Sequence, residues 1–357
     1  MKANVLHAFG EPFRLEELVD PVAGPGEAVV DIAAARVLPY MGEIVSGARR
    51  YNIALPAVLG GGAVGRVSAL GPDATRLKVG DWVLCDPTLR SRDDARTPDI
   101  ALQGIVARGP GGEALQRRYR HGSFAAKMLA PLENLNPIGD IGPDEAPLWC
   151  AAGTLLVPYG GLLAIDLRPG EIVAVSGATG NFGGAAVMLA LAMGASAVIA
   201  LGRNAEVLAG LERRFGPRVR AVAFSGDADA DSARIQAAAP GPIDAVLDIL
   251  PPQADPAATR GTILALREFG RAALMGGQLH ELAIPYNWLM RNSITIRGQW
   301  MFPRSANASL IAMARAGLVD LKAFEIAAFP LDRAMAAMEH AAATAGAFKM
   351  TVLTALL

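Results

Sequence analysis

Ile172-Val-Ala-Val-Ser-Gly-Ala-Thr-Gly-Asn-Phe-Gly-Gly184 is the stretch of sequence that decides the fold. Its first four residues are apolar and predict a buried strand that leads into Ser176. Glycines follow at positions 177, 180 and 183, a spacing typical of a tight turn that opens a helix. Such a turn lets a pyrophosphate approach the backbone, while the helix N-terminus offers N–H groups to the anion. The stretch therefore predicts a dinucleotide site; the alternative is a glycine-rich turn without a ligand.

Strands and helices alternate after this turn. The predicted strands are 172–175, 197–201, 219–224, 245–249, 271–275 and 293–299. The predicted helices between them are 183–193, 204–215, 230–238 and 257–268. This alternation is typical of an α/β fold in which a doubly wound parallel sheet carries helices on both faces. We place this domain at residues 141–299, with an apolar helix over 146–165 at its start.

The N-terminal part of the chain follows a different pattern. Short apolar segments are separated by glycine and proline, over 27–32, 64–70 and 82–85. This pattern favours a β-rich, barrel-like domain over residues 1–140, completed by the chain from about 300 to 357. Residues 90–120 are rich in arginine, glycine and aspartate and have no hydrophobic period, so we predict an exposed loop there.

The residues after the second strand of the α/β domain decide the coenzyme. This strand ends at Leu201-Gly202-Arg203-Asn204, where a site that prefers NAD places an acidic residue against the ribose hydroxyls. No acid is present, and Arg203 offers a charge-assisted contact to a 2′-phosphate, with Asn204 as an additional hydrogen-bond partner. The sequence therefore predicts NADP(H); the alternative is that Arg203 only begins a solvated helix.

The predicted coenzyme contacts lie at the carboxyl ends of the first, second, fourth and fifth strands of the α/β domain, because ligands of such sheets bind at that edge. The residues are Ser176, Gly177, Thr179, Gly180, Asn181, Phe182, Gly183, Gly202, Arg203, Asn204, Leu250, Gly276 and Gly277.

Several segments, in this order, resemble the medium-chain dehydrogenase/reductase superfamily. Pro56-Ala-Val-Leu-Gly-Gly-Gly-Ala-Val-Gly-Arg-Val67 is similar to its P-x-V-L-G-H-E-x-x-G-x-V segment. Val79-Gly-Asp-Trp-Val83 and Gly122-Ser-Phe-Ala125 are similar to its V-G-D-x-V and G-x-F-A-E-Y segments. Lys349-Met-Thr-Val-Leu353 is similar to its terminal strand. The resemblance covers essentially the whole chain and implies a GroES-like catalytic domain beside a Rossmann-type NADP-binding domain.

The departures from the family pattern concern its catalytic zinc. The positions that hold metal ligands in the zinc alcohol dehydrogenases of the family fall on Leu38, Gly61, Gly62 and Gly153. Zinc needs nitrogen, sulfur or oxygen donors, and none of these side chains supplies one. The sequence therefore predicts no metal and resembles the zinc-free branch, which includes quinone oxidoreductases and enoyl or alkenal reductases.

The chemistry expected of that branch is hydride transfer to a quinone or to an activated C=C bond, because the substrate's own carbonyl then absorbs the charge. Tyr40 follows the lost ligand position 38 by two residues and is the candidate catalytic residue, as hydrogen-bond or proton donor. The alternative for Tyr40 is a packing role. Two alternative functions stay open: a zinc-independent alcohol or ketone oxidoreductase, and a coenzyme-binding protein with little catalysis.

Four arginines in the 90–120 segment either attract an anionic substrate such as an acyl-CoA or belong to a solvated loop: Arg108, Arg117, Arg118 and Arg120.

Composition limits the partners. The chain carries 33 Lys and Arg against 34 Asp and Glu, so its net charge of −1 offers no bulk attraction for nucleic acid or an anionic membrane. Two cysteines without CxxC spacing, and an N-terminus without an apolar signal region, predict a cytoplasmic protein.

The expected partners of the chain are a small-molecule substrate and a second copy of itself. The β-branched segment Ile294-Thr-Ile-Arg-Gly-Gln-Trp300 predicts an edge strand along which a homodimer pairs.

Overall fold

Parallel strands and helices alternate from Thr154 to Asp320 in the computed structural model, which describes residues 1–93 and 96–354. This segment and Gly346–Phe348 form one unit of the chain, here called the sheet unit. Numbered in chain order, its strands are β12 (Ile172–Ser176), β13 (Ala197–Gly202), β14 (Val219–Ala223), β15 (Ile243–Asp248), β16 (Leu266–Leu274) and β17 (Thr295–Gly298). The α-helices that lie wholly within it are α5 (Asn181–Ala192), α6 (Ala205–Phe215), α7 (Ala228–Ala238), α8 (Pro256–Leu264), α9 (Tyr286–Arg291) and α10 (Ala306–Arg315).

The strand order of this sheet is β14-β13-β12-β15-β16-β17, and every neighbouring pair is parallel. The order reverses at β12, because β13 and β14 lie on one side of it and the later strands on the other. This is the doubly wound Rossmann order, in which a ligand binds outside the carboxyl ends of the strands at the reversal point. The predicted fold class of this part of the chain is confirmed.

Helix α8 is shorter than the sequence predicts. We expected a helix over 257–268, but α8 ends at Leu264 and β16 begins at Leu266. Leu266 pairs with Ile243 of β15, and the Arg267 guanidinium donates to the Asp244 carboxylate at 2.6 Å. These contacts hold residues 266–268 in the sheet, and tertiary pairing of this kind overrides a helical apolar period.

The other unit, here called the barrel unit, comprises Met1–Gly153, Leu321–Ala345 and Lys349–Leu357. Its central sheet has the order β11-β6-β5-β3-β19-β18, with β10 also paired to β3. These strands are β3 (Glu27–Val37), β5 (Ala63–Leu70), β6 (Trp82–Cys85), β10 (Lys127–Pro131), β11 (Leu135–Pro137), β18 (Glu325–Pro330) and β19 (Lys349–Thr354). Around it lie β1 (Lys2–Leu6), β2 (Arg14–Glu17), β4 (Ala57–Val58), α1 (Met41–Val45), α3 (Ala146–Trp149) and α11 (Ala334–Ala343). The C-terminal strand β19 pairs antiparallel with β3, so the end of the chain completes the β-rich unit.

The segment 90–120 is not the exposed loop that we predicted. In the described part of it, β7 (Thr88–Arg90), β8 (Ile100–Leu102) and β9 (Val106–Ala107) form a small antiparallel sheet, and α2 (Gly109–Arg118) follows. The prediction is wrong because this segment has a small core of its own. That core consists of Leu89, Ala101, Ala107 and Tyr119. Its members are too far apart in the sequence to produce a hydrophobic period.

One helical stretch, 143–164, is long and apolar enough to cross a membrane by length and composition. It contains α3 and α4 (Ala151–Ala164). Of its most apolar window, 72% is buried inside the folded chain, as expected of a core helix.

The strand β17 is the last strand of its sheet, where the sequence predicted an edge. Apolar side chains near it face solvent: Tyr286 is 79% exposed, Met290 57% and Trp300 38%. We propose that a second copy of the chain pairs along β17, because an unpaired edge beside apolar surface favours such pairing.

A lysine on this edge is expected to prevent the pairing. Thr295 in β17 is exposed, so Thr295→Lys places a charge at the proposed interface without entering the core. Analytical ultracentrifugation is expected to show twice the chain mass for wild type and the single-chain mass for the variant. Ala342→Lys, on the exposed face of α11, is the matched control and should stay dimeric. A monomeric wild type at micromolar concentration would contradict the proposal.

Candidate functional site

The glycine-rich turn joins β12 to α5 within the sheet unit. Ser176 is the last residue of β12 and is fully buried, and α5 begins at Asn181 with Phe182 in its first turn. Gly177 has a φ of 87°, which favours glycine. A Cβ on residue 183 would lie 1.9 Å from the Gly177 carbonyl oxygen, so only glycine fits at position 183. The turn therefore brings the N-terminus of a twelve-residue helix against the end of the central strand.

The second strand of the unit ends beside this turn. A Cβ on Gly202, the last residue of β13, would lie 2.5 Å from Thr179 Cγ2, so Thr179 packs against a position that must lack a side chain. Arg203 follows and is exposed. The Asn204 side chain accepts a hydrogen bond from the Val207 backbone N–H at 3.1 Å and caps α6. Arg203 therefore offers its guanidinium to solvent at the carboxyl edge of the sheet, whereas the Asn204 oxygen is engaged by its own helix.

The ends of β15 and β16 meet at the same edge. Gly277 donates its backbone N–H to the Leu250 carbonyl at 3.1 Å, and a Cβ on Gly276 would lie 2.6 Å from that same oxygen. Asp248, at the end of β15, accepts the Thr259 hydroxyl at 2.8 Å, and its burial raises its pKa. Our sequence reasoning gave Asp248 no role. In the structure its carboxylate accepts the Leu250 backbone N–H at 3.4 Å and so positions the loop that carries Leu250. Its place at the end of an apolar strand is the sequence signal that could have identified it.

The predicted coenzyme residues thus lie at the carboxyl ends of four neighbouring strands, around the point where the strand order reverses. At three glycines there, positions 183, 202 and 276, a Cβ would overlap a neighbouring atom. Glycine backbone without a Cβ, next to a helix N-terminus, lets the pyrophosphate of a dinucleotide approach closely. The residues present therefore fit NAD(P)(H): the turn and α5 would hold the phosphates, and the ends of β15 and β16 would lie toward the nicotinamide half.

In the barrel unit, the four positions compared with zinc ligands carry no metal donor. Leu38 is buried, and a Cβ on Gly61 would lie 2.5 Å from the Ile105 side chain. A Cβ on Gly62 would lie 3.4 Å from the Cys85 carbonyl oxygen. Ile105 therefore takes up space that a larger side chain at position 61 would need. Among residues 1–93 and 96–354, no group of three or more His, Cys, Asp or Glu residues is placed to hold a metal ion.

The candidate residue Tyr40 is half-buried at the start of α1. The Arg49 guanidinium carbon lies 4.1 Å from the centre of the Tyr40 ring, and Arg49 also donates to Tyr51 Oη at 3.3 Å and to Glu43 at 3.0 Å. Burial raises the pKa of Tyr40 to about 12, because the phenolate is poorly solvated there. The phenol therefore keeps its proton at neutral pH and can donate a hydrogen bond.

Arg36 is a residue that sequence reasoning missed. It lies in β3, is only 8% exposed, and its Nε and Cζ atoms lie 3.9 and 4.0 Å from the point where a Cβ on Gly153 would stand. Its backbone N–H donates to the Gly62 carbonyl at 3.2 Å. Desolvation lowers the pKa of Arg36, which keeps its charge at neutral pH because an arginine titrates far above it. A buried cation thus lies beside two of the four positions compared with zinc ligands.

Both cysteines are buried thiols in the barrel unit. Cys150 Sγ donates to the Ala34 carbonyl at 3.4 Å, and burial raises its pKa to about 12. Burial also raises the pKa of the Cys85 thiol.

Three of the four arginines singled out in the 90–120 segment, but not Arg108, line a pocket of about 430 Å³ on the barrel unit. Arg118 is paired with Glu27 at 2.5 Å, and Lys127 is paired with Asp20 and Asp31. Neighbouring carboxylates therefore offset part of this positive charge. The pocket wall includes Arg117, Arg118, Arg120, His121 and Lys127.

Two family profiles match the chain. The one described as "Alcohol dehydrogenase GroES-like domain" matches residues 24–140, and the one described as "Zinc-binding dehydrogenase" matches residues 182–315. The solved alcohol dehydrogenase from Thermus sp. ATN1 is 21% identical, has a TM-score of 0.80, and aligns over 99% of this chain and 100% of its own. That likeness shows the fold.

Curated relatives align over different lengths. An alcohol dehydrogenase of Rhizobium meliloti is 30% identical over 84% of this chain and 83% of its own length. An NAD-dependent alcohol dehydrogenase of Sulfolobus acidocaldarius is 31% identical over 58% of this chain, and the chain spans 60% of that relative's length. An acryloyl-coenzyme A reductase of Sulfurisphaera tokodaii is 26% identical over 56% of this chain and 58% of its own length.

A methyl group at position 183 is expected to damage both the turn and nucleotide binding. Gly183→Ala places a Cβ against the Gly177 carbonyl, and overpacking of this kind costs about 1–3 kcal/mol. Thermal unfolding and a fluorescence titration with dinucleotide measure the two losses. Gly210→Ala, in the middle of α6, is the matched control, because its Cβ meets only Arg213 at 3.9 Å. An unchanged melting temperature and affinity in Gly183→Ala would refute this account of the turn.

Proposed function

The chain belongs to the medium-chain dehydrogenase/reductase superfamily, and from that premise we propose that it is a zinc-independent, NADPH-dependent oxidoreductase that reduces a quinone or an α,β-unsaturated carbonyl compound. That it is an oxidoreductase of this superfamily, and that a pyridine nucleotide serves it, follow from the family. The preference for NADPH, the independence from zinc and the substrate class are the proposal.

The observation that carries the proposal is the set of side chains at the four positions compared with zinc ligands. Leu38, Gly61, Gly62 and Gly153 supply no nitrogen, sulfur or oxygen donor for zinc, and Ile105 fills the space beside Gly61. The family profile with "zinc-binding" in its description matches residues 182–315, a stretch that contains none of these four positions. On this proposal, the oxidoreductase chemistry of the chain proceeds with the polarising groups that its own side chains provide.

The substrate class follows from that restriction. Reduction of a simple ketone needs a strong electrophile at the carbonyl oxygen, whereas a conjugated carbonyl or a quinone spreads the added charge over its own π system. Bound NADPH supplies the hydride, and the chain has to position the acceptor and stabilise its oxygen. Tyr40, protonated at neutral pH, is a donor suited to that oxygen. The relative named for acryloyl-coenzyme A, a conjugated thioester, supports this class.

A second candidate is zinc-independent interconversion of an alcohol and a ketone, which is favoured by the alcohol dehydrogenases among the relatives. Steady-state assays with NADPH against 1,4-benzoquinone, 2-cyclohexen-1-one and cyclohexanone distinguish the two. Turnover of the first two compounds but not of cyclohexanone is expected. Turnover of cyclohexanone alone would favour the second candidate, and tight NADPH binding without any turnover would favour a binding protein.

Arg203 is expected to set the preference for NADPH. A charge-assisted contact to the 2′-phosphate contributes about 1.5–3 kcal/mol, so Arg203→Ala should lose about 10- to 150-fold in NADPH affinity and keep its NADH affinity. Fluorescence titrations of both coenzymes measure this. Arg213→Ala is the matched control, because Arg213 lies in the last turn of α6 and Arg203 just before its start. Equal affinities of the wild type for the two coenzymes would contradict the proposed preference for NADPH.

The chain is expected to hold no stoichiometric zinc. After dialysis against a chelator, elemental analysis should find less than one zinc per ten chains, and the rate of enone reduction should be unchanged. A zinc dehydrogenase treated in parallel controls for the chelation. One zinc per chain that survives dialysis, or activity that returns only with added zinc, would contradict the proposal.

A further inference from the structure

The pocket of about 430 Å³ on the barrel unit lies outside the chemistry proposed above. Its volume falls within the range of about 300–1,000 Å³ that is typical of small-molecule sites. Every residue of its wall belongs to Met1–Gly153, and none of them is a predicted coenzyme contact. One part of the wall is basic and comes from the end of α2 and the residues that follow it. Another part is apolar and includes Leu18, Val19, Pro21 and Met128.

Two arginines of this wall differ from their neighbours in lacking a carboxylate partner. Arg118 and Lys127 are engaged by carboxylates, as described above. Arg117 lies in the last turn of α2 and Arg120 two residues beyond its end, and neither forms an ion pair within residues 1–93 and 96–354. In the same part of the chain, the buried Nε of Arg120 has no hydrogen-bond partner. A buried donor without a partner calls for an explanation, and a bound ion is one of them.

The wall beside Arg120 is fixed by hydrogen bonds. Gln103 is only 2% exposed, and its amide donates to the carbonyls of His121 and Leu129 at 2.8 Å each. His121 Nδ1 accepts the Val58 backbone N–H at 3.2 Å. Burial, followed by the charge of Arg120, lowers the pKa of His121, so its ring is neutral at pH 7 and carries its proton on Nε2. The wall therefore combines an N–H donor of fixed tautomer with the charge of Arg120.

We propose that this pocket is a second ligand site of the chain and binds a phosphate monoester that carries a short apolar tail. The phosphate binds to Arg117 and Arg120, because a guanidinium matches the geometry of phosphate oxygens. Two unpaired cations suit a head group with nearly two negative charges and three acceptor oxygens, whereas a carboxylate has one charge and two oxygens. This inference goes beyond the proposed reaction and does not depend on it.

The apolar part of the wall selects the tail. Leu18 and Met128 contribute apolar surface to the pocket, and Val19 beside them is 92% exposed. A bound alkyl chain removes this surface and its own methylenes from water, which is favourable in proportion to the apolar area covered. A phosphate without a tail leaves that surface wet, so the affinity of the site depends on both halves of the ligand.

Calorimetric titration with ethyl, butyl, hexyl and octyl phosphate tests both halves. Each methylene that the wall buries is expected to raise the affinity about fourfold, until the pocket is full. Inorganic phosphate supplies the head without the tail and 1-octanol the tail without the head, so both should bind far more weakly than hexyl phosphate. Octanoate should bind more weakly than octyl phosphate. Saturating NADP⁺, which occupies the proposed coenzyme site, should leave all these affinities unchanged.

Substitutions identify the residues that hold the phosphate. Arg120→Met removes a charge-assisted hydrogen bond and should weaken hexyl phosphate binding by about 10- to 150-fold. Arg117→Met should cause a smaller loss, because water screens the charge of this exposed side chain. Arg76→Met is the matched control: Arg76 is an exposed arginine of the same unit outside the pocket wall, and its loss should not change the affinity.

None of these readouts needs turnover, so failure of the proposed function would leave the test intact. Equal affinities of the wild type and a folded Arg120→Met for hexyl phosphate would overturn the inference. Displacement of hexyl phosphate by NADP⁺ would also overturn it, because the ester would then occupy the coenzyme site. If Arg120→Met fails to fold, Arg117→Met decides, and an unchanged affinity in that variant would remove the site.

A membrane lipid is the other source of a phosphate monoester with apolar chains. Sedimentation with phosphatidic acid vesicles tests it, and the chain is expected to remain in the supernatant, because a pocket of this volume takes one short tail. Binding to the vesicles without any binding of the soluble esters would overturn the inference.

Discussion

The close approach of a helix to the end of a central strand is the constraint on which the sheet unit depends. The Gly177 carbonyl oxygen occupies the place that a Cβ at position 183 would take, so α5 can begin this near to β12 only with glycine there. The approach holds the N-terminus of α5 over the point where the strand order reverses. A Cβ would also clash at Gly202, the last residue of β13, and at Gly276, two residues after the end of β16. The proposed dinucleotide site is therefore formed chiefly by the backbone, and side chains such as Arg203 add selectivity to it.

The barrel unit presents the opposite arrangement, because the chemistry proposed for it depends on side chains that the family pattern does not supply. Where a metal would need donors, the chain has glycines and a leucine, and Ile105 fills space beside one of them. A buried arginine and a protonated tyrosine lie nearby.

Much of the fold was predictable from the sequence, because the strand–turn–helix stretch at 172–184 combines an apolar period with glycines at fixed offsets. The same reasoning failed at 90–120, where Leu89, Ala101 and Tyr119 form a core although they are far apart in the chain. It also predicted a helix that extends beyond the end of α8, because the pairing of Leu266 with Ile243 depends on tertiary structure. It overlooked Arg36, because a charged residue in a strand is expected to face solvent unless its burial is known. Asn204 shows the same limit, since a polar residue after a strand serves a helix cap as readily as a ligand.

The two thiols have a consequence for the durability of this protein. Quinones and conjugated carbonyls are electrophiles that alkylate cysteine, and the reactive species is the thiolate. Cys85 and Cys150 are buried, and their raised pKa values leave almost no thiolate at neutral pH. No other cysteine occurs in the sequence. A catalyst of this kind is therefore protected against covalent self-inactivation by the very compounds it is proposed to consume, and accumulated turnovers should leave its thiol content intact.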